Sequence, residues 1–300
     1  MKKLIRRITG AACAAAVLAG GTVLLPVHAA EVQRARIMGD LTGDCKVTME
    51  DAKKALDIAV AGRIGLTDRN ANGENNPADI DMNGMIETMD ALAILRYFCQ
   101  SLVGEQPLWS EIRKITYVDG TECAPKIDQE TGEYVHLPFE KRGMYLEIGC
   151  AEGKPGEEVT VPVYLAGIDS IAGFQYYQMA PACLKLTEIT SELGVSQRYE
   201  QDENGESRIT ILDENAEYVG AVNLFSGAFV WVAPGCDNMS LTDGIILANY
   251  TYKIPEDAKD GEHYVLSLDT MRTLFGTCDG NYDFQSYQYT LLDGVIVVKE

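Results

Sequence analysis

Oxygen-bearing side chains recur at every second residue in the stretch GDLTGDCKVTMED, residues 39–51. Counted as loop positions, Asp40, Thr42 and Asp44 are first, third and fifth, Lys46 is seventh and Asp51 is twelfth. A hard cation such as Ca²⁺ takes about six to eight oxygen ligands, which a tight loop supplies from alternate side chains, a backbone carbonyl and a closing acid. The spacing therefore indicates a calcium-binding loop.

The pattern returns 39 residues later in DIDMNGMIETMD, residues 79–90. This second copy has a suitable residue at every expected position. In loop order these residues are Asp79, Asp81, Asn83, Gly84, Met85, Glu87 and Asp90. Because the second copy is intact, the repeat supports calcium binding by the first loop as well, and two Ca²⁺ sites are predicted.

The first loop departs from the pattern twice, at Cys45 and at Thr42. The sixth position needs a left-handed backbone, which costs a non-glycine residue such as Cys45 about 1–2 kcal/mol. Thr42 offers a neutral hydroxyl or no ligand where an acid or amide is preferred. The first site is therefore predicted to bind Ca²⁺ more weakly than the second.

Each loop leads directly into a segment with apolar residues at helical spacing, DAKKALDIAVAG and DALAILRYFCQS. The predicted core positions correspond between the two copies. The matching pairs are Ala52 with Ala91, Ala55 with Ile94, and Leu56 with Leu95. The repeated unit is thus a loop followed by a helix.

From residue 144 onward the sequence consists of short runs rich in Val, Ile, Tyr and Thr, separated by turn residues. The runs are YLEIGC, EEVTVPVYLAG, AGFQYYQM, LKLTEI, SRITIL, AVNLFSGAFVWV, GIILANYTYKI, EHYVLSLD and YTLLDGVIVVK. About nine strands without intervening helices predict an antiparallel sandwich of jelly-roll type. Residues 105–143 form either a linker or two extra strands, and the pattern leaves both open.

The first 29 residues resemble a signal peptide. Four basic residues precede an apolar stretch over residues 11–25 and a small-residue cleavage site, so secretion is expected. Removing them takes away four of 25 basic residues and none of 45 acidic ones, which leaves a net charge of −24. Such acidity disfavours nucleic acid and anionic membranes as partners. No apolar anchor follows GVIVVKE, so cell-surface attachment is expected only through a partner.

Eight cysteines occur, and Cys13 lies in the signal segment, so seven remain in the mature chain. An odd number cannot pair completely within one chain. No CxxC motif is present, which argues against a zinc knuckle or a redox dithiol. Cys99, Cys150 and Cys183 lie in apolar runs and are predicted to be buried thiols.

The paired loop-helix units resemble the dockerin module of bacterial cellulosome assemblies, over residues 30–104. The resemblance implies an EF-hand-like α domain that binds Ca²⁺ and docks onto a cohesin module of another scaffoldin. It also implies that the tenth and eleventh loop positions choose the partner. These are Met49 and Glu50 in the first half and Thr88 and Met89 in the second. Because the halves differ there, binding in two orientations is not favoured.

Residues 144–300 are similar to a cohesin module, in a series of features that begins at LEIGCAEGKPGEEVTVPVYLAG and ends at YTLLDGVIVVKE. The resemblance implies that one sheet face, including the strand AGFQYYQM, receives a dockerin. Alternation along that strand predicts Phe174 and Tyr176 in the core and Gln175 and Tyr177 on the partner face.

Together the two resemblances imply a non-catalytic adaptor scaffoldin that joins dockerin-bearing enzymes or subunits to a larger scaffold for plant polysaccharide degradation. A dockerin-bearing carbohydrate-binding protein and a dockerin-bearing glycoside hydrolase are the alternatives. Glycosidases need two acidic residues that flank the scissile bond. The 45 acidic residues of this chain could supply such a pair, but no catalytic signature occurs in the sequence. Carbohydrate-binding surfaces usually need exposed aromatic side chains. The sequence offers Trp109 and Trp231, and Trp231 is predicted to lie in the sandwich core with Phe229.

Overall fold

A computed structural model describes most of the chain beyond the predicted signal segment. The described residues are 38–44, 46–63, 77–80, 86–103, 107–109, 112, 115–124, 126, 131, 133–201, 206–269, 272–279 and 283–299. The predictions for residues 1–29, and those for Cys45, Asp81, Asn83 and Met85, fall outside this set. Within it, no helix is both long enough and apolar enough to cross a membrane.

Two helices form where the sequence predicts them, α1 over Met49–Arg63 and α2 over Thr88–Leu102. They pack against each other mainly through alanine residues, which let the two backbones approach closely. The buried residues that share one hydrophobic cluster are Ala52 and Ala55 of α1 and Ala91 and Ile94 of α2, and Ala59 of α1 is also buried.

Leu56 does not join this contact, and its predicted core position is wrong. Its side chain is 40% exposed, whereas Ala55 beside it is fully buried. The buried line of α1 follows residues 52, 55 and 59, and Leu56 lies one position, about 100°, further around the helix.

Among the described residues from 144 onward, the chain forms a β-sandwich of seventeen strands and one short 3₁₀ turn. The first nine are β1 (Met144–Ile148), β2 (Cys150–Gly153), β3 (Glu158–Ala166), β4 (Ser170–Ile171), β5 (Gly173–Met179), β6 (Lys185–Thr190), β7 (Gln197–Gln201), β8 (Ser207–Ile211) and β9 (Val219–Asn223). The others are β10 (Ala228–Val232), β11 (Met239–Ser240), β12 (Ile245–Lys253), β13 (His263–Leu268), β14 (Leu274–Cys278), β15 (Phe284–Ser286), β16 (Tyr289–Leu292) and β17 (Gly294–Val298). The turn spans Pro234–Cys236.

One sheet has five strands in the order β16-β1-β3-β12-β6. The larger sheet follows β2-β17-β13-β5-β10-β9-β7-β8, with β14 paired to β5 and β15 to β14. A two-stranded piece joins β4 to β11. Most pairs are antiparallel, but β1 with β16, β2 with β17 and β7 with β9 are parallel.

The predicted count of about nine strands is too low, although every predicted run contains at least one strand. The run YLEIGC breaks at Gly149 into β1 and β2, and YTLLDGVIVVK breaks at Asp293 into β16 and β17. In both runs the chain leaves the five-stranded sheet and enters the larger one. Apolar character hides this change of sheet, because β1 and β17 are buried throughout and β16 is buried over most of its length.

Aromatic side chains fill the space between the sheets. The ring of Phe174 lies 5.0 Å from that of Phe229, 6.0 Å from that of Trp231 and 5.4 Å from that of Phe275. The indole N–H of Trp231 donates to the Leu193 carbonyl at 3.0 Å, which satisfies its polar atom. Trp231 and Phe229 are buried core residues, as the alternation predicts.

The helices and the sandwich share a second hydrophobic cluster. Trp109 stacks on Tyr97 of α2 with ring centroids 4.3 Å apart. Gly39, at φ +83°, lies against the same indole, because a Cβ there would come within 2.6 Å of it. Val295 of β17 and Val265 of β13 complete the cluster from the sandwich side. The segment around Trp109 therefore packs between the helices and the sheet.

Two of the three predicted buried thiols are exposed. Cys99 and Cys183 are open to solvent, and Cys150 is half-buried. Cys99 lies on α2 away from the α1 contact, and Cys183 occupies the turn closed by the hydrogen bond from Leu184 N to Pro181 O. Apolar neighbours in sequence do not bury a residue that lies at a turn or on an outer helix face.

Candidate functional site

The twelfth-position carboxylate of the first loop is the centre of a dense hydrogen-bond network. Asp51 is fully buried, and its Oδ1 accepts from the backbone N–H groups of Leu41 and Thr42, both at 2.8 Å. Its Oδ2 accepts from Thr48 N at 2.8 Å and Thr48 Oγ1 at 2.7 Å. Burial alone would raise the pKa of Asp51, but these four donors outweigh it and hold the pKa below its ordinary value.

Asp90 makes the equivalent contacts in the second loop. Its Oδ1 accepts from Ile80 N at 2.9 Å and its Oδ2 from Glu87 N at 2.7 Å. Leu41 and Ile80 are both second loop positions, and Thr48 and Glu87 are both ninth. The duplication seen in the sequence thus extends to hydrogen bonds. In each copy one acid ties the start of the loop to the start of the helix, and Glu87 and Asp90 form a reciprocal capping box.

The other predicted ligands of the first loop surround the same turn. Asp40 Oδ1 accepts from Gly43 N at 2.6 Å and lies 3.2 Å from Thr42 Oγ1. Asp44 is exposed and accepts from Lys46 N at 3.0 Å. The first-position and third-position oxygens are therefore neighbours, as two ligands of one cation would be.

In the second loop, Asp79 and Glu87 are half-buried and Asp90 is buried. Over the described ranges, no three His, Cys, Asp or Glu side chains converge into a metal-ligating group. The donors present are carboxylate, hydroxyl and backbone oxygens, which suit Ca²⁺ rather than a soft metal.

The predicted partner positions are exposed on the helices. Met49 and Met89 are 60% and 65% exposed, and Glu50 and Thr88 are also open to solvent. Further exposed apolar residues continue each helix at helical spacing: Leu56 and Val60 on α1, and Leu92 on α2. We call these five apolar residues, Met49, Leu56, Val60, Met89 and Leu92, the helix patches. Large apolar side chains that remain exposed on paired helices are typical of a docking surface.

The structure places Gln175 and Tyr177 on the outer face of β5, half-buried, with Phe174 and Tyr176 in the core. Gln175 Nε2 donates to Arg272 O at 2.8 Å, and the Arg272 guanidinium lies 5.6 Å from the Tyr177 ring centroid. Burial raises the pKa of Tyr177, so its phenol stays protonated at neutral pH. The phenol is therefore a neutral hydrogen-bonding group on an amphipathic ring.

This outer face extends further than the sequence indicates. Strand register places Gln175 between Val230 of β10 and Leu274 of β14, and continues through Ala221 of β9 and Gln197 of β7 to Ile211 of β8. Residues directly opposite one another in paired strands share a face. We call this line, Leu274, Gln175, Val230, Ala221, Gln197 and Ile211, the sheet row.

The two ends of the sheet row are exposed, whereas its middle is closely packed. Leu274 and Ile211 are open to solvent, and Val230 and Ala221 are buried. Ile209, 55% exposed, points to the same side of β8 as Ile211. The sequence pattern predicts SRITIL only as a sandwich strand. The alternation of Ile209 and Ile211 with Arg208 and Thr210 is the signal that could have shown an apolar outer face.

A buried charge cluster was missed entirely. Lys126 is 1% exposed, and its Nζ donates to Ile148 O at 2.5 Å and Asp293 O at 2.9 Å. It also lies 3.3 Å from Glu147 Oε1, and the other oxygen of that buried carboxylate lies 2.8 Å from His136 Nδ1. Ile148 and Asp293 lie at the two points where the chain changes sheets. Lys126 therefore ties the segment before the sandwich to both crossings.

Comparison with known proteins gives similarity to cohesin structures over about half of the chain. No protein family model and no curated protein matches. The third ScaB cohesin of R. flavefaciens, solved with a group 1 dockerin, is 18% identical with a TM-score of 0.38, covering 53% of this chain and 96% of its own. A type I cohesin-dockerin complex from Clostridium thermocellum gives 15% identity and a TM-score of 0.36, covering 52% and 99%.

The sixth cohesin of scaffoldin B from Acetivibrio cellulolyticus, solved with a dockerin, gives 21% identity and a TM-score of 0.34, covering 52% of this chain and 99% of its own. At these identities and TM-scores, the similarity does not establish membership of a family.

Proposed function

We propose that this protein is a secreted, non-catalytic adaptor with two separate docking surfaces. In this proposal, residues 30–104 bind a cohesin module of another scaffoldin, in a Ca²⁺-dependent way. Residues 144–300 capture a dockerin borne by an enzyme or another subunit. The chain would reach the cell surface through its partner and serve polysaccharide degradation.

The observation that carries the proposal is that one chain exposes two apolar surfaces on different architectures. One surface is the helix patches, and the other is the two ends of the sheet row with Tyr177 beside them. Apolar side chains of this size, left exposed at several points of each surface, favour protein partners over solvent. Both tryptophans are buried, which does not favour the carbohydrate-binding alternative.

Calcium binding is part of the proposal, and the oxygen donors of the loops support it. In the first loop the ion would be held by Asp40, Thr42, Asp44, Asp51 and the Lys46 carbonyl. In the second it would be held by Asp79, Asp81, Asn83, Glu87, Asp90 and the Met85 carbonyl. When bound, Ca²⁺ would neutralise these carboxylates at the helix starts. Asp51 and Asp90 already hold the loop ends to the helix starts, so they preorganise both sites.

The test is capture from a purified panel of cohesin modules and dockerin-bearing proteins, with Ca²⁺ or with a chelator. We expect one surface to retain a cohesin only with Ca²⁺ and the other to retain a dockerin-bearing protein. Met89→Glu should block the first interaction alone. Retention on insoluble cellulose or starch without any capture would overturn the adaptor function.

Tyr177→Ala is expected to weaken dockerin binding by roughly 10- to 100-fold, because a rigid aromatic anchor commonly carries more than 1 kcal/mol of an interface. Isothermal titration with a dockerin that the intact protein captures would measure it. Phe139→Ala is the matched control, because Phe139 is an exposed aromatic that packs with Tyr164 of the five-stranded sheet. Equal losses in both variants would contradict a docking function for Tyr177.

Cys45→Gly is expected to tighten Ca²⁺ binding at the first loop by about 5- to 30-fold, because glycine adopts the left-handed sixth position without the 1–2 kcal/mol penalty. Calorimetric titration should resolve two unequal sites in the natural protein and bring them closer together in the variant. Cys99→Gly, at an exposed thiol on α2, should leave the weaker site unchanged. Two equal sites in the natural protein would refute the predicted asymmetry.

A further inference from the structure

The turn Pro234–Cys236, which follows β10, holds an unusual backbone. Gly235 has φ +67° and Cys236 has φ +59°. Among the described residues, Cys236 is the one non-glycine residue with positive φ. A side chain with a Cβ disfavours this region, whereas glycine adopts it readily. The backbone conformation of residue 236 does not favour a cysteine, so we consider the role of its thiol.

The turn is tied to the end of β14 by an asparagine. Asn238 Nδ2 donates to Cys278 O at 2.9 Å, and Asn238 Oδ1 accepts from Cys278 N at 2.9 Å. These two bonds fix residue 238 beside residue 278 in the manner of a strand pair. Cys236 lies two residues earlier, in a turn that its own N–H closes by donating to Ala233 O at 3.0 Å. The geometry brings Cys236 to the same strand end as Cys278.

The electrostatics at Cys278 agree with this placement. Burial raises the pKa of the Cys278 thiol, and negative charge on Cys236 raises it further, as do the carboxylates of Asp279 and Asp237. A thiol has this influence only when it lies near its neighbour. Three of the other described cysteines lie near different groups. In addition to burial, negative charge on Cys123 raises the pKa of Tyr117, charge on Cys150 raises that of Tyr164, and charge on Cys183 raises that of Tyr264.

We propose that Cys236 and Cys278 are a disulfide-forming pair that staples the β10–β11 turn to β14 in an oxidising compartment. Both are held as thiols in this structure, and both are half-buried, so a small oxidant reaches them. The thiolate of one cysteine attacks a low-molecular-weight disulfide, releases one small thiol and forms a mixed disulfide. The second cysteine then attacks the protein sulfur of that bond and releases the second small thiol. Two protein thiols are oxidised and one small disulfide is reduced.

The cross-link would secure the start of β5. Ala172, just before β5, donates to Gly276 O at 2.9 Å and accepts from Ala233 N at 2.8 Å. The staple would therefore join the two chain segments that flank this point of the larger sheet. It would also close a loop of about forty residues, and long loops lose the most unfolded-chain entropy when they are cross-linked.

The test uses the mature chain, incubated with oxidised glutathione or with dithiothreitol, alkylated and mapped by mass spectrometry. We expect the oxidised protein to have two fewer alkylated thiols and to yield a peptide pair joined through Cys236 and Cys278. Its melting temperature should exceed that of the reduced protein by roughly 5–10 °C. Full alkylation of both cysteines after oxidation, or linkage of either to another cysteine or another chain, would overturn the proposal.

Single variants separate the pair from general thiol oxidation. Cys236→Ser and Cys278→Ser should each remove both the linked peptide and the redox-dependent shift in melting temperature. Cys183→Ser, at an exposed thiol elsewhere, should keep both. A redox-dependent shift in melting temperature that persists in either serine variant would contradict the assignment. Serine preserves the size of the side chain, and the natural protein in its two redox states supplies the same comparison without mutation.

Discussion

Asp51→Ala is expected to lower the free energy of unfolding of the helical region by about 3 kcal/mol and to remove Ca²⁺ binding at the first loop. The reason is the number of donors that one buried carboxylate satisfies. Asp51 accepts from Leu41 N, Thr42 N, Thr48 N and Thr48 Oγ1, all within 2.8 Å. Alanine leaves three backbone N–H groups without this acceptor and takes a negative charge from the start of α1.

Urea denaturation with and without Ca²⁺, followed by calorimetric titration, separates the two effects. With a chelator present, the loss reports the hydrogen bonds alone. The further loss when Ca²⁺ is added reports the ion. Asp57→Ala is the matched control, because Asp57 is an exposed aspartate on the same helix. A change below about 0.5 kcal/mol for Asp51→Ala would mean that the network contributes no stability.

Asp90→Ala should behave in the same way at the second loop, since its contacts to Ile80 N and Glu87 N occupy the same loop positions. This equivalence is the part of the site that could be predicted best from sequence. The loop spacing specifies which acid closes the loop, and the same acid is the third residue of the helix, where its charge and its capping bonds are favourable. At this position the acid that the loop pattern requires is also the residue type that the start of the helix favours.

Other features depend on contacts between segments distant in sequence, and the pattern could not predict them. The apolar runs of the sandwich predict strands correctly, but the change of sheet at Gly149 and Asp293 depends on where other strands lie. Strand β7, QRYEQ, has no apolar alternation and forms because β8 and β9 flank it. Leu56 has core character and is exposed because the helices meet through alanine.

The two proposed docking surfaces differ in how much of each could be predicted from the sequence. On the helices, the resemblance implies which loop positions face the partner, and the structure leaves them exposed. On the sheet, alternation predicts the direction of Gln175 and Tyr177, but the width of the face depends on the β7–β8 hairpin and on Leu274 of β14. A single strand therefore indicates which face is outward, whereas the neighbouring strands decide how large that face is.

Lys126→Met is expected to give the other large effect, a loss of about 3–5 kcal/mol from the stability of the sandwich. The side chain is buried, and removing its ammonium group takes one donor from each of three acceptors: Ile148 O, Asp293 O and the carboxylate of Glu147. Glu147 still accepts from Leu137 N at 3.2 Å. Methionine keeps most of the volume, so the loss measures charge and hydrogen bonding rather than a cavity. Lys141→Met, at an exposed lysine in the same segment, should change stability by less than about 0.5 kcal/mol.

A double-mutant cycle with Glu147→Gln decides whether the charge pair or the two carbonyl contacts dominate. If the buried charge of Glu147, no longer balanced by Lys126, causes most of the loss, Lys126→Met/Glu147→Gln will be more stable than Lys126→Met, because the neutral amide no longer carries a buried charge. If the carbonyls at the two sheet crossings dominate, the double variant will be no more stable than Lys126→Met. Lys126 donates to both crossings, so in that case it holds β1 to β2 and β16 to β17 where the chain changes sheets. Denaturation of the four proteins at one pH distinguishes these outcomes, and a cost for Lys126→Met no greater than that of Lys141→Met would contradict both.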